Sequence, residues 1–353
     1  MLVARFFGGF SGSAFLAVAG GTVVDLFNRD EIQFPMVIYA AVQFLGPTLG
    51  PAIGGFIVQF SDWRWCYYAL LIWSGALLAM IVFFAPETFG LVLLQRKAKD
   101  LRVSTGNPQW YHPVERTNRS IARTMVTSCY RPFQMMFLEP ICFCMDIYAS
   151  LLLGILYLSF TAFPVVFGQN HGFNDWQNGM TFVGFLTGMV IAALSDPLWR
   201  KNYLRLIRNA QTAEGPAKTP EPEFRLPPGI FGSIITPIGF FWFAWTQFSS
   251  VHWIVPIIGS SLFGAGIFLV FNSMFTFLAD AYRSYAASAL AGNIFCRCCF
   301  AAAFSLFGAQ MYRNIGFQWA STLLAFLTLA MAPFPFLFFR YGKSLRRNSK
   351  FAT

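Results

Sequence analysis

Charged side chains are scarce in this sequence. Of its 353 residues, 11% are Asp, Glu, Lys or Arg, whereas 56% are hydrophobic and 43 are Phe. Soluble domains carry about 25% charged residues, so this composition excludes a water-soluble globular protein. We therefore expect the chain to lie in a lipid bilayer, and the bilayer is one of its expected partners.

The residues that build common catalytic and metal sites are also few. There are three His and seven Cys, and Cys142, Cys144, Cys296, Cys298 and Cys299 lie inside apolar runs at spacings that match no zinc site. No phosphate-binding glycine loop and no Ser-His-Asp constellation is found in the sequence. We therefore expect no metal, no cofactor, no use of ATP and no enzymatic activity.

The excess of basic residues has a membrane explanation. A net charge of +10 would also suit a nucleic-acid partner. The Lys and Arg residues, however, fall almost entirely between the apolar runs, and basic loops on one side of a bilayer are common in membrane proteins. No nucleic-acid partner is expected.

Nine apolar runs are long enough to cross a bilayer, which requires about 20 mostly apolar residues. The runs are uninterrupted and do not alternate, so they predict helices rather than the strands of a barrel. The sequence thus predicts an all-α integral membrane protein. Its spans are expected at 2–26, 36–60, 65–85, 140–163, 177–195, 229–250, 253–279, 286–312 and 317–339.

The basic residues also predict an orientation. Nine spans put the two termini on opposite sides of the membrane, and a cytoplasmic C-terminus gives the inner segments 21 of the 25 Lys and Arg. The positive-inside rule favours that arrangement, with Met1 on the outer side if the chain starts there. A signal peptide cleaved after AVA at 17–19 is the alternative for the first run, although its FFGGFSGS stretch is poorly apolar.

Two basic segments that contain proline divide the chain. The sequence predicts a partial N-terminal half of three helices at 1–88, a cytoplasmic central loop at 89–136, a C-terminal half of six helices at 137–341 and a cytoplasmic tail at 342–353. A second inner segment contains AEGPAKTPEPEF at 213–224, and its proline content predicts a flexible stretch.

A regular glycine and proline pattern stands in the second run, FLGPTLGPAIGG at 44–55. Three of its glycines recur every fourth residue, and Gln43 lies on the same helix face. Such a face lets another helix approach closely, while the two prolines remove backbone hydrogen bonds and are expected to bend the helix. The motif comprises Gly46, Pro47, Gly50, Pro51, Gly54 and Gly55.

This stretch and several others resemble one family of transporters. GPTLGPAIGG resembles the antiporter motif on the fifth helix of proton-coupled drug exporters in the major facilitator superfamily, and RFFGGFSGSAFLAVAGG at 5–21 resembles the Arg-bearing motif of the fourth helix. The segments at 86–102, 280–293 and 341–352 are similar to the fungal multidrug-resistance branch. AALSDPLWRKNY at 192–203 resembles the gating-loop motif, with Ala in the position where that motif prefers Gly.

The resemblance implies the major facilitator fold, with these nine spans as the fourth to twelfth of twelve helices. It implies a proton-coupled secondary transporter, in the plasma membrane, that exports drug-like or secondary-metabolite organic compounds by alternating access. A small organic substrate and protons would be its ligands, and its oligomeric state is left open. The alternative is a truncated, non-transporting or accessory membrane protein of the same family.

The resemblance also implies charged residues that act in gating loops at the helix ends. The candidates are Asp25, Arg29, Asp196, Arg200, Asp280 and Arg283.

Polar side chains inside the apolar runs are the candidate site residues, because a charge at the centre of a membrane helix costs about 2.5–3.5 kcal/mol on insertion scales. Two stripes at helical spacing, one headed by Asp146 and one by Asn272, are expected to face a central cavity. Candidates for substrate binding or coupling are Arg5, Gln43, Asp146, Ser150, Tyr157, Phe160, Asn272, Asn293 and Arg297.

Specific roles follow for three of these candidates. Asp146 is expected to pair with Arg297, and the alternative for Asp146 is an interfacial position reached by snorkelling. Arg5 corresponds by resemblance to a family residue associated with proton coupling, with an interfacial anchor as its alternative. For Asn272 and Asn293 the alternative is hydrogen bonding between helices.

Overall fold

Helices form almost all of the described chain. The computed structural model describes residues 2–28, 31–111, 121–214, 220–347, 349 and 351, and no β-strand occurs in those ranges. Helices satisfy their backbone polar groups internally, as a bilayer requires. They are α1 Leu2–Leu26, α2 Gln33–Phe60, α3 Arg64–Phe84, α4 Gly90–Thr105, α5 Ile121–Leu138, α6 Pro140–His171, α7 Asp175–Thr181, α8 Val183–Leu194, α9 Asp196–Glu214, α10 Pro227–Trp245, α11 Ile254–Ala281, α12 Ala286–Ile315, α13 Phe317–Met331 and α14 Pro333–Arg347.

Nine helical stretches in the described ranges are long and apolar enough to cross a membrane, which confirms the number predicted from the sequence. The stretch predicted at 177–195 is longer in the structure, because α7, α8 and α9 follow one another with single-residue joints. The nine are Val3–Leu26, Gln33–Phe60, Arg64–Phe84, Pro140–His171, Asp175–Thr212, Pro227–Trp245, Ile254–Ala281, Ala286–Ile315 and Phe317–Arg347.

Local sequence sets several helix ends. α6 and α12 are each followed by a glycine, Gly172 and Gly316, whose φ angles of 65° and 87° lie in the left-handed region that glycine adopts without strain. α7 begins with a capping box, in which the Asn174 backbone N–H donates to Gln177 Oε1 at 3.0 Å.

Small residues bring α8, α10 and α11 into backbone contact. A Cβ added at Gly188 of α8 would lie 1.8 Å from the carbonyl oxygen of Ser261 on α11, and one at Gly239 of α10 would lie 2.4 Å from the backbone nitrogen of Phe263. Membrane helices associate chiefly by such close van der Waals packing. These glycines therefore hold the three helices together.

Phenyl rings fill the space between α6, α8 and α10. Phe163 of α6 stacks on Phe185 of α8 at 5.0 Å and on Phe243 of α10 at 4.9 Å between ring centroids. Offset-stacked rings at this separation contribute about 0.5–1.5 kcal/mol per pair beyond the area that they bury. The abundance of Phe is thus explained in part by packing.

Among the described spans, α1 and α3 are less buried than the others. α1 packs on α12, where a Cβ at Gly21 would lie 3.1 Å from the Cβ of Ala287. α3 buries none of its residues.

The central segment, which the sequence predicts as a loop, contains two helices, α4 and α5. α5 packs on α12 through Phe133 and Phe295, whose ring centroids are 5.1 Å apart.

The sequence predicts a flexible stretch at 213–224, and this prediction is wrong for the last residues of the stretch. Residues 215–219 lie outside the described ranges, but Pro222–Arg225 forms a 3₁₀ turn in which Pro222, Glu223 and Arg225 are buried. The turn is held because Glu223 accepts two hydrogen bonds from Arg346 of α14, at 3.2 and 3.0 Å. A bidentate charged pair outweighs the local preference of proline for an open loop.

Candidate functional site

A buried carboxylate lies where α6 packs on α12. Asp146 is 2% exposed, and its Oδ1 accepts a hydrogen bond of 2.9 Å from Asn293 Nδ2. Asn293 is itself buried, and its Oδ1 has no hydrogen-bond partner in the described structure. The partner of the acid is a neutral amide, so the pair tolerates either protonation state of Asp146.

A buried cation lies one helical turn further along α12. Arg297 is 4% exposed, and its Nη2 donates to Gln43 Oε1 of α2. Its guanidinium carbon is 5.0 Å and 5.7 Å from the ring centroids of Phe275 and Phe271 on α11. The ring faces stabilise the cation, and Arg297 thereby joins α12 to α2 and α11.

A groove of about 940 Å³ between α1 and α2 reaches Gln43. Its wall is mostly apolar, and its polar side chains are Glu31, Tyr39, Gln43 and Arg200. This volume and this lining are typical of sites that bind drug-sized molecules. Because Gln43 also contacts Arg297, the groove and the buried cation are adjacent.

A second set of polar residues, here called the polar cluster, comprises Gln33, Asp196, Arg225 and Asp280. Gln33 at the start of α2 donates from Nε2 to Asp196 Oδ1 at 2.7 Å and accepts at Oε1 from Arg225 Nη1 at 3.3 Å. Arg225 Nε also lies 3.5 Å from Asp280 Oδ2 at the end of α11. All four side chains are buried, so the cluster ties α2 to α9 and α11.

Two members of the polar cluster were missed by the sequence analysis. Gln33 lies at the end of an apolar run, and Arg225 follows the proline-rich stretch that predicts a loop. The available signal was the pair of acids already singled out, Asp196 and Asp280, because buried carboxylates require a cation or several donors. Sequence spacing alone does not say which residue supplies them.

A further buried bond lies near that end of α11. Tyr282 Oη donates to Glu139 Oε2 at 3.2 Å, just before α6 begins. Burial, together with the neighbouring Cys142 and Glu139, raises the pKa of Tyr282 above its ordinary value. Its hydroxyl therefore stays protonated and remains a donor at neutral pH.

Comparison with known proteins gives the family. The family model described as Major Facilitator Superfamily matches residues 1–306. The chain belongs to the major facilitator superfamily. This confirms the resemblance seen in the motifs, and it makes the protein a multi-pass membrane transporter rather than an enzyme.

Three relatives in this superfamily illustrate the similarity. The efflux pump atB of Aspergillus terreus is 53% identical over 352 residues, covering 100% of this chain and 74% of the relative. The probable drug/proton antiporter YHK8 of Saccharomyces cerevisiae is 43% identical over 355 residues and 68% of its own length. The MFS-type efflux pump MFS2 of Trichophyton rubrum is 43% identical over 353 residues and 58% of its length. The chain thus spans only part of each of these relatives.

The pairing that the sequence predicts between Asp146 and Arg297 is not formed in this major facilitator chain. Asp146 accepts from Asn293, whereas Arg297 donates to Gln43. Asn293 and Arg297 share one face of α12, but the shorter amide reaches α6 while the longer guanidinium reaches α2. For Asn293 the structure shows the alternative given above, a hydrogen bond between helices.

Among the described residues, nothing makes the predicted helix contact with the glycine face of the antiporter-like motif. A Cβ at Gly46, Gly50 or Gly54 would meet nothing within 4 Å. The close approach occurs instead at Gly55, where a Cβ would lie 2.6 Å from the carbonyl oxygen of Asp175. α2 turns its Thr48 and Ala52 side inward, because that side packs against α7 and α8, and it continues through Pro47 and Pro51 without interruption.

The two stripes do not face one common cavity. Ser150 is buried and donates to the carbonyl oxygen of Asp146 at 2.5 Å, on its own helix. Phe160 packs on Phe182 and Phe185 at 5.3 and 5.7 Å, with Tyr157 beside it. Asn272 instead lines a small cavity with Arg225 and Thr276. Thus Tyr157 and Phe160 lie in the aromatic core, and the Asn272 stripe leads to the polar cluster.

The remaining candidates of the superfamily motifs lie apart from Asp146. Arg5 is exposed and donates to the Tyr67 hydroxyl of α3, with its guanidinium 5.6 Å from that ring centroid. Asp25 is exposed near the end of α1, Arg29 lies outside the described residues, and Arg200 lines the groove. Arg283 donates to the carbonyl oxygen of Phe27 at 3.3 Å, which links the end of α1 to the turn before α12.

Proposed function

We propose that this chain belongs to a proton-driven exporter of amphipathic organic compounds that works by alternating access. The observation that carries the proposal is Asp146, a buried acid within the span Pro140–His171 whose partner is the neutral amide of Asn293. Ionisable residues within membrane helices commonly form proton relays in transporters. Asp146 is the proposed proton carrier because its amide partner accepts both the charged and the neutral carboxyl.

The polar cluster is the proposed gate. It joins the start of α2, which belongs to the proposed N-terminal unit at 1–88, to α9 and α11 of the proposed unit at 137–341. Alternating access requires one unit to move against the other. Breaking the bonds from Gln33 to Asp196 and Arg225 would free the two units at this end, with the segment at 89–136 as their connection.

The proposed orientation places the polar cluster on the cytoplasmic side of the plasma membrane. α9 and α14 carry Lys and Arg at this end, and Lys343 and Arg346 pair there with Glu221 and Glu223. The positive-inside rule favours a cytoplasmic position for such segments. The C-terminus would then be cytoplasmic, and residue 2 at the start of α1 would lie near the outer face.

The proposed substrate class is a drug-like or secondary-metabolite compound. Support comes from the relatives described as efflux pumps and as a probable drug/proton antiporter. It also comes from the groove of about 940 Å³, whose apolar wall suits a compound with a greasy body and a polar end.

The test uses inside-out vesicles from cells that lack their own drug exporters. With an imposed proton gradient and no ATP, vesicles that contain the full chain should accumulate a fluorescent drug, and an uncoupler should abolish the accumulation. Asp146→Asn should reduce the proton-driven accumulation while leaving exchange of drug for drug, because that exchange needs no proton. The matched control is Asp62→Asn, an exposed acid in the turn between α2 and α3.

Two results would contradict the proposal. Accumulation that needs ATP and ignores the gradient would rule out proton coupling. Vesicles that hold folded protein but accumulate no drug would favour the non-transporting or accessory role.

A further inference from the structure

Arg297 is a buried cation that has no compensating acid among the residues that the structure describes. It lies within the span Ala286–Ile315, it is 4% exposed, and its hydrogen-bond acceptor is the uncharged Oε1 of Gln43. A charge removed from water in this way is strongly unfavourable unless a partner of opposite sign neutralises it. The protein should therefore supply or admit a negative charge near Arg297.

The described structure provides no such charge. The titratable groups that interact electrostatically with the guanidinium are Tyr39, Tyr157 and Cys298, and all three residue types are ordinarily neutral at pH 7. Asp146 is bound to Asn293 instead, and the ion pairs found among the described residues all lie in other parts of the molecule. The two rings beside Arg297 stabilise a cation but do not neutralise it.

Two hydrogen-bond donors at this point are unused. Arg297 Nε and Gln43 Nε2 are both buried and make no hydrogen bond of good geometry in the described ranges, although the Tyr39 hydroxyl lies beside the Gln43 side chain. Buried polar groups in native proteins are nearly always satisfied, so each orphan requires an explanation. Both orphans are donors, and they belong to side chains that already touch, so the missing group is an acceptor.

The residues around Arg297 and Gln43 indicate the side from which an acceptor would enter. Gln43 and Tyr39 line the groove between α1 and α2, and Gln43 Oε1 accepts from the guanidinium, so the Gln43 side chain stands between the groove and Arg297. Phe271 lies beside Arg297 and packs on Phe44 of α2 at 5.1 Å between ring centroids. A ligand in the groove would thus meet an apolar wall along its body and the Gln43 side chain at one end, with the buried guanidinium of Arg297 directly behind it.

We propose that the transported compound is an organic anion, an amphipathic carboxylate whose oxygens accept from Arg297 Nε and Gln43 Nε2. The inference rests on the proposed export function and narrows its substrate class. The carboxylate neutralises the buried guanidinium, and charge-assisted hydrogen bonds of this kind are the strong ones in proteins. A neutral or cationic compound of the same shape would leave Arg297 uncompensated, and a cation would also be repelled.

The experiment compares three probes that share one ring system: naphthoate, naphthamide and naphthylmethylammonium. Binding of each to the purified full chain in nanodiscs is measured by equilibrium dialysis. Uptake of each is measured in the inside-out vesicles described above. We expect saturable binding and proton-driven uptake of naphthoate, with an affinity at least about tenfold higher than for the other two probes.

Two variants test the role of Arg297. Arg297→Gln should weaken naphthoate binding at least about tenfold and leave naphthamide binding unchanged. Gln43→Glu places a carboxylate against Arg297, so it should remove naphthoate binding while the protein stays folded. This second variant keeps the proposal testable if Arg297→Gln does not fold. Arg313→Gln is the control, because Arg313 is an exposed arginine at the end of the same helix.

Each outcome separates the inference from the proposed function. Uptake of naphthamide or naphthylmethylammonium without naphthoate would overturn the anion inference and leave the exporter proposal standing. Naphthoate binding that survives both Arg297→Gln and Gln43→Glu would also overturn the inference. If folded protein moves none of the three probes and no fluorescent drug, the exporter proposal falls and the anion inference falls with it.

Discussion

Asn293 Nδ2 lies 2.9 Å from Asp146 Oδ1, and this bond connects α12 to α6 in the buried interior. One turn away on the same helix, Arg297 connects α12 to Gln43 of α2. The buried acid Asp146 and the buried cation Arg297 thus each form a hydrogen bond with a neutral amide and not with one another. The two proposals rest on this arrangement: a proton is the proposed partner of Asp146, and an organic anion is the proposed partner of Arg297.

The amide of Asn293 should be needed for stability. Asn293→Leu would leave the Asp146 carboxyl buried without its partner, which costs about 1–3 kcal/mol. The measurement is the thermal unfolding midpoint in detergent, and we expect a clear decrease. Gln59→Leu, an exposed change on α2, is the control and should be nearly silent. If Asp146→Leu combined with Asn293→Leu is no more stable than the single Asn293 variant, the bond is not the cause.

Arg225 should matter more than the exposed basic residues near it. Arg225→Gln leaves Asp280 and Asp196 of the polar cluster without their buried cation and removes the stacking on Tyr203, whose ring centroid is 3.9 Å away. Breaking a buried pair in this way costs about 3–5 kcal/mol, so the yield of folded protein should fall sharply.

Lys343 provides the contrast to Arg225. Its side chain is 58% exposed and pairs with Glu221 at 2.6 Å, and exposed pairs contribute at most about 1 kcal/mol. Lys343→Gln should therefore leave the folded yield almost unchanged. Equal losses from the two variants would show that burial does not decide the effect.

Two glycines should respond differently to the same substitution. Gly188→Ala would force its methyl group against the Ser261 backbone, whereas Gly50→Ala would meet nothing within 4 Å. Overpacking of this kind costs typically about 1–3 kcal/mol, so only the first variant should lower the unfolding midpoint. Loss of transport by a fully folded Gly50→Ala protein would indicate a role of that glycine other than packing in this structure.

A covalent crosslink across the polar cluster should hold the proposed gate closed. Gln33 and Asp196 lie in hydrogen-bond contact at 2.7 Å. Cys at both positions, in a chain with its seven native Cys replaced, should therefore react with a short bis-methanethiosulfonate reagent, which joins each thiol through a disulfide bond and releases sulfinate. Crosslinking should stop vesicle uptake, and a reductant should restore it. The control pair, Cys at positions 59 and 62, spans one turn between α2 and α3 and should not affect uptake. Undiminished uptake by fully crosslinked protein would contradict the proposed gate.

The sequence alone determined the helices and the family. Hydropathy is a local property, so runs such as 286–312 and 253–279 predict spans close to Ala286–Ile315 and Ile254–Ala281. The family followed from short motifs, which are also local. Which side chains lie on one helix face, such as Asn293 and Arg297, follows from the helical repeat for the same reason.

Only the tertiary structure decided which faces meet. Sequence spacing cannot tell whether Arg297 turns toward Asp146 or Gln43, because the choice depends on how α12 is rotated between α6 and α2. It also cannot tell that α2 turns its Thr48 and Ala52 side inward rather than its glycine face, since both faces carry small residues. Arg225 was missed for the same reason: its acid partner is 55 positions away in the chain. Contacts between helices depend on packing across the whole bundle, and local patterns do not contain that information.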